Sequence, residues 1–120
     1  MTENYIEHIY IDFISETLSE RELLEQLAEE SSELSQAALK LIRAAKYNDN
    51  PTPTKEKEAI ENLVEEYGDV LAVWKVIKES ISKVDMEENR QAMYRKPEKK
   101  LRRWSERLGL KEDKVILCRT

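Results

Sequence analysis

The sequence predicts an all-α protein, an antiparallel bundle of about four helices completed by oligomerisation. Three observations carry that expectation. Apolar residues recur at helical spacing in four successive segments. Two glycines and three prolines in 120 residues are too few for a turn-rich β-sandwich or barrel. Charged residues reach 38 % while hydrophobic residues supply only 40 %, a composition of amphipathic helices with a thin core of their own. The length suits one domain over 1–120, with core motifs in 20–85 and a basic helical segment over 86–108.

The first helix is expected near 5–17, where Ile6, Ile9, Tyr10, Phe13, Ile14 and Leu18 follow helical spacing. The second opens on Ser19, with Glu22 three residues on to complete a capping box. Leu23, Leu27, Leu34, Ala38, Leu41 and Ala45 mark its face to about residue 46. Asn48 to Pro53 reads as a loop, and Thr52 before Pro53 as an N-cap with proline at the first helical position. Ala59, Leu63, Val70, Trp74, Ile77 and Ile81 mark the third helix, to about Val84, with Trp74 read as a core residue. Asp85 and Glu88 form a second capping-box pattern opening the fourth helix. Pro97 is expected to kink or divide that helix, because it lacks an amide donor and crowds the preceding turn. Gly109 is the expected stop, and Val115 to Leu117 a short strand or a packed tail.

Several classes fall away. The single cysteine, Cys118, forms no intrachain disulfide and no cysteine-based zinc site. His8 is the lone histidine and reads as a surface residue. No apolar run approaches the roughly 20 residues of a membrane span. The N-terminus shows no signal-peptide pattern, so a cytoplasmic protein without membrane contact is expected. The net charge of -5 is unevenly spread. Residues 1–40 hold ten acids and two bases, whereas 86–120 hold six acids and eleven bases. That asymmetry suits the handling of cations and phosphates, and equally suits plain charge complementarity within or between chains. The overall negative charge speaks against nucleic acid as the partner, although Tyr94 and Trp104 lie in the basic segment.

The anomaly lies inside two apolar stripes. Leu23, Glu30, Ala37 and Leu41 project in nearly one direction on the second helix, and Ala59, Glu66, Val73 and Ile77 do so on the third. Glu33 follows Glu30, and Asp69 follows Glu66, by three residues, about 60° around the helix. Glu29 lies nearer the solvent edge. Four carboxylates converge if the two helices pack antiparallel. Converging carboxylates repel and are costly to desolvate, and a divalent cation removes both objections. Oxygen-only ligands favour Mg2+, with Mn2+ as a substitute, and Mg2+ readily keeps waters and substrate phosphates. The competing view is a pair of ordinary acidic faces, since one E-x-x-E among 25 acids means little.

The segments Leu27-Ala28-Glu29-Glu30-Ser31-Ser32-Glu33-Leu34 and Asn62-Leu63-Val64-Glu65-Glu66-Tyr67-Gly68-Asp69-Val70-Leu71 resemble the MazG-type all-α nucleoside triphosphate pyrophosphohydrolases. That superfamily includes the all-α dimeric dUTPases and phosphoribosyl-ATP pyrophosphatase. Its E-E-x-x-E and E-x-x-D signatures match Glu29, Glu30 and Glu33, then Glu66 and Asp69, across a somewhat long spacer. The resemblance covers roughly residues 20–85. It implies cleavage of the α–β phosphoanhydride of a nucleoside triphosphate, giving a nucleoside monophosphate and pyrophosphate. It implies magnesium held by Glu30, Glu33, Glu66 and Asp69, with Glu29 as a general base or water-orienting group. It also implies a homodimer, or a homotetramer built from dimers.

Lys96, Lys100 and Arg103 lie at i, i+4 and i+7 on the fourth helix and are candidates to bind phosphate. Lys100-Leu101-Arg102-Arg103 resembles a K-L-x-R pattern of the same family, although Lys99 or Arg102 could fill these roles. The same bases could instead only solvate the helix or meet the acidic residues 1–40. Asn62, one turn before Glu66, and Trp104 are candidates to contact base or sugar, with Tyr94 and Tyr47 as further rim residues. The alternatives to a general pyrophosphohydrolase are a narrower dUTPase, dCTPase or phosphoribosyl-ATP pyrophosphatase, or a non-catalytic helical assembly or regulatory protein.

Overall fold

A computed structural model of the chain describes residues 3–45, 54–84 and 87–111, with side chains described except at Glu3 and 81–96. All regular secondary structure among the described residues is helical, in the order α1 (Glu3–Thr17), α2 (Glu20–Ala44), α3 (Glu56–Val84) and α4 (Glu87–Arg107). No described helix is long and apolar enough to cross a membrane. The chain separates into two compact units, residues 1–83 with α1 to α3 and residues 84–120 with α4. The boundary falls where the acid-bearing motifs give way to the basic segment.

In the first unit, only Leu18 and Ser19 separate α1 from α2. Thr17 closes α1 by donating its hydroxyl to the Phe13 carbonyl at 2.6 Å. Ser19 then opens α2 with the expected capping box. The Glu22 amide donates to Ser19 Oγ, and the Ser19 amide donates to Glu22 Oε1, both at 3.2 Å. Two amides that have no partner inside the helix are thereby satisfied.

The core is small. Leu23 of α2 clusters with Val76 and Ile77 of α3, and Ile11, Ile14, Leu18, Leu27 and Val73 pack against them. Ala37 and Ala59 are the other buried hydrophobic residues among those described. A Glu7–Lys75 ion pair also ties α1 to α3. It is partly exposed, so its contribution is at most about 1 kcal/mol.

In the first unit the structure departs from the sequence expectations at four places. Ile6, Ile9, Tyr10 and Phe13 of α1 are exposed, Phe13 by 67 %, whereas Ile14 and the following Leu18 do pack on the core, joined by Ile11. Apolar groups surround so much of α1 that spacing alone does not select the packed side. Trp74 is 37 % exposed rather than a core residue, because Val73, Val76 and Ile77 occupy the packed side of α3. On α2 it is Ala37, not Ala38, that is buried. The third helix begins at Glu56, beyond Pro53, with the Ala59 amide donating to the Lys55 carbonyl. Thr52, Pro53 and the 48–53 loop lie outside the described residues.

Among its described residues the second unit contains one helix. α4 runs unbroken through Pro97 to Arg107, so the proline does not divide it. A missing amide costs one hydrogen bond, and the turns on either side keep theirs. The helix stops at Gly109 as expected. Gly109 has φ 106°, its amide donates to Glu106 O, and the Leu110 amide reaches back to Ser105 O. This paired pattern satisfies two carbonyls that the helix leaves open, and the positive φ is one that glycine adopts without Cβ strain. Asp85, the Glu88 side chain and 115–117 lie outside the described residues, and so do Cys118 and Tyr47.

Candidate metal centre

The site is built by the same spacing that builds the core. Five turns of α2 put Leu23, Glu30, Ala37 and Leu41 along one line. Leu23 and Ala37 are buried, and Glu30 and Leu41 half-buried. On α3 Ala59 and Ile77 are buried, with Glu66 and Val73 half-buried between them. Each acid is therefore carried into the helix contact by the apolar residues a turn or two away on its own helix.

The two stripes bring their acids together. One carboxylate oxygen from each of Glu30, Glu66 and Asp69 lies within 4.8 Å of the others. Glu33 joins them from the edge. The negative charge of Glu30 raises its pKa most, followed by partial desolvation, the charge of Glu66 and hydrogen bonds with both. Glu33 itself is exposed. Three of the acids read from the sequence, Glu30, Glu66 and Asp69, thus form one group across α2 and α3, and Glu33 lies near enough to Glu30 and Glu66 to feel the charge of both.

Two atoms in this group are left without a hydrogen-bond partner. Glu30 Oε1 accepts a 2.8 Å hydrogen bond from Gln26 Nε2, but Glu30 Oε2 is buried and accepts none. Glu66 Oε2 is likewise buried without a donor. An unmade hydrogen bond at a buried acceptor costs about 1–3 kcal/mol, and more where the group is charged. Two such oxygens, on two acids of one cluster, would be satisfied by a nearby positive charge. The donor set is oxygen alone, which suits a hard cation such as Mg2+ or Mn2+ better than zinc or copper. The residues present therefore fit a divalent ion, with Glu30, Glu66 and Asp69 closest to a common point and Glu33 beside them.

Gln26 is a contributor that the sequence does not point to. It stands one turn before Glu30, and its amide orients that carboxylate. The only signal is a glutamine four residues ahead of a stripe acid, and such pairs are common on ordinary helix surfaces. Glu29 is exposed and is not in the group. Asn62 is half-buried on α3, one turn before Glu66.

In the second unit Lys100 and Arg103 line one open depression with Glu106 and Arg107 on α4. Trp104 is exposed on the same helix. The side chains of Lys96 and Tyr94 lie outside the described residues. No protein-family model, curated protein or solved structure matches the chain.

Proposed function

We propose that the protein is a magnesium-dependent nucleoside triphosphate pyrophosphohydrolase acting as a homo-oligomer. The observation that carries this reading is the gathering of Glu30, Glu33, Glu66 and Asp69, with a buried carboxylate oxygen on each helix lacking a donor. The MazG-type pattern of the same residues supplies the reaction. Antiparallel pairing of α2 with α3 belongs to the reading. Leu23 clusters with Val76 and Ile77, while Glu30, further along α2, meets Glu66 and Asp69, which come earlier on α3.

Glu30, Glu33, Glu66 and Asp69 are the residues that hold the ion. When bound, magnesium neutralises charge on the phosphate oxygens and makes a water more acidic. Gln26 keeps the Glu30 carboxylate turned toward the group. Glu29, outside the cluster and exposed, keeps in this reading the water-orienting or general-base role that the resemblance implies. That water's oxygen forms the new bond to phosphorus as the α–β bridging bond breaks, leaving a monophosphate and pyrophosphate. Lys100 and Arg103 give α4 an anion-attracting face, which supports the phosphate role assigned to them with Lys96. Asn62 and Trp104 remain the residues assigned to base and sugar.

The test is pyrophosphate release, measured over a panel of standard, deoxy and damaged triphosphates with Mg2+ present. Release of pyrophosphate is expected, and Glu30→Gln or Glu66→Gln should lower it about 100- to 1,000-fold, a loss in the range seen when a charge-stabilising group is removed. Helicity by circular dichroism should stay unchanged. Full turnover in either variant sinks the assignment, and release of single phosphate refutes α–β cleavage. Activity confined to dUTP, dCTP or phosphoribosyl-ATP selects the narrower enzyme. No turnover of any substrate by the wild type favours a structural or regulatory protein.

A further inference from the structure

The charges of α4 are unevenly placed around its axis. From Pro97 to Lys111 every side chain is exposed except Ser105, which is half-buried. Pro97, Leu101, Trp104 and Leu108 follow one another at spacings of four, three and four, within about 60° of one another round the helix. The Leu108 amide still donates to the Trp104 carbonyl at 3.1 Å, so helical register reaches the last of them. Leu101, Trp104 and Leu108 are 56 %, 53 % and 78 % exposed, so this apolar arc lies open. Lys100, Arg103 and Arg107 fill the next arc, also about 60° wide. Glu98 and Glu106 stand on the remaining side with Lys99 and Arg102, so neither acid interrupts the apolar arc or the basic one.

An apolar arc beside a basic one suits a partner that is apolar and anionic side by side. Free phosphate or a nucleotide would meet the bases and leave Leu101 and Leu108 in water. A nucleic acid could stack on Trp104 but would leave the same two leucines uncovered. A bilayer containing anionic lipid meets both arcs. The leucines enter the boundary between headgroups and acyl chains, and tryptophan is favoured at that depth. The bases lay their apolar stems along the same boundary and hold their charges at the lipid phosphates. The sequence expectation of no membrane contact rested on the lack of a span and a leader, and a helix lying in the plane of the surface needs neither. The net charge of -5 acts weakly at such a contact, because charges more than about 8 Å away are screened at physiological salt.

We propose that α4 binds the surface of membranes that carry anionic lipid. It lies flat, with Leu101, Trp104 and Leu108 toward the acyl chains and Lys100, Arg103 and Arg107 at the lipid phosphates. The inference does not rest on the hydrolase reading, since it uses neither the acid cluster nor an ion. That reading gives Lys100, Arg103 and Trp104 a nucleotide, and this one gives them lipid, so the assay is run without nucleotide.

The full chain, in chelator, is sedimented with vesicles of phosphatidylcholine and phosphatidylserine, and with vesicles of phosphatidylcholine alone. Binding should saturate on the anionic vesicles and be at least about 10-fold weaker on the neutral ones, since each base near an anionic surface contributes about fivefold. Leu101→Ser with Leu108→Ser should weaken binding at least about 10-fold, because two apolar side chains stay in water. If that pair loses helicity by circular dichroism, Leu101→Ala with Leu108→Ala replaces it. In Trp74→Phe the remaining tryptophan is Trp104, and its emission should shift to the blue on anionic vesicles. Absence of vesicle binding overturns the proposal, as does equal binding to both compositions or binding unchanged by the leucine pairs. Sedimentation with Trp104 emission left at its value in water also overturns it. Binding of a single-stranded oligonucleotide without binding to vesicles overturns it in favour of nucleic acid. None of these results bears on pyrophosphate release, which keeps its own assay.

Discussion

Glu33 senses the cluster most directly. Its carboxyl is held above the usual value of 4.5, first by the charge of Glu30, then by desolvation and the charge of Glu66. A carboxyl whose folded pKa is raised binds its proton more tightly in the folded state. Its contribution to stability is full below 4.5 and is lost as pH rises through the folded value. The metal-free protein should thus gain from Glu33→Gln at neutral pH, and the gain should shrink as pH falls toward 4.5. Thermal melts in chelator across that range check this, and a Tm that is lower in the variant at neutral pH counts against it. Millimolar Mg2+ should reverse the ranking, because the glutamine gives up a charged ligand. Glu30 and Glu66 are legible in the sequence because an acid inside an apolar stripe breaks a pattern. Gln26 is not, because a glutamine on a polar flank breaks none, and only the 2.8 Å hydrogen bond to Glu30 shows what it does.

Among the elements, ends are easier to read than sides. The Ser19 box and the Gly109 stop each depend on one local pattern, and both occur as expected. Ser19→Ala should remove the hydroxyl acceptor for the Glu22 amide and cost about 1 kcal/mol. In a unit the size of residues 1–83 that lowers Tm by about 4–8 °C. Ser19→Asp should recover most of the loss, and equal melting of Ser19→Ala and wild type would show the cap to be idle. Sides are harder. The apolar arcs of α1 and α3 are wider than one helix pairing needs, so periodicity marks Phe13 and Trp74 as readily as Ile14 and Ile77. Which part of a wide arc packs depends on what the other helices present, and that is a tertiary property.

For the whole molecule, the thin apolar supply has a definite structural form. Five hydrophobic residues are buried among those described, while α1, α2 and α3 expose large apolar groups along their lengths. A folded chain in water rarely leaves so much apolar surface uncovered. The acid group adds its own cost, since Glu30 Oε2 and Glu66 Oε2 sit without donors between α2 and α3. Stability should therefore depend on what the chain binds, and in two separable ways. Anything that binds only the folded state stabilises it by an amount that grows with the logarithm of its concentration. If chain association completes the core, Tm rises with protein concentration in chelator, where no ion contributes. If the acids hold an ion, Tm rises with Mg2+ at fixed protein concentration, by the equivalent of about 2.7 kcal/mol at 100 times the metal's Kd. Val64→Glu with Leu71→Glu, at exposed apolar positions of α3, should abolish the first dependence and keep the second, because the new charges lie on the opposite side of α3 from Asp69. Glu66→Gln should do the reverse. A Tm independent of both concentrations would mean that the first unit is complete and stable by itself, with a core too small to explain it.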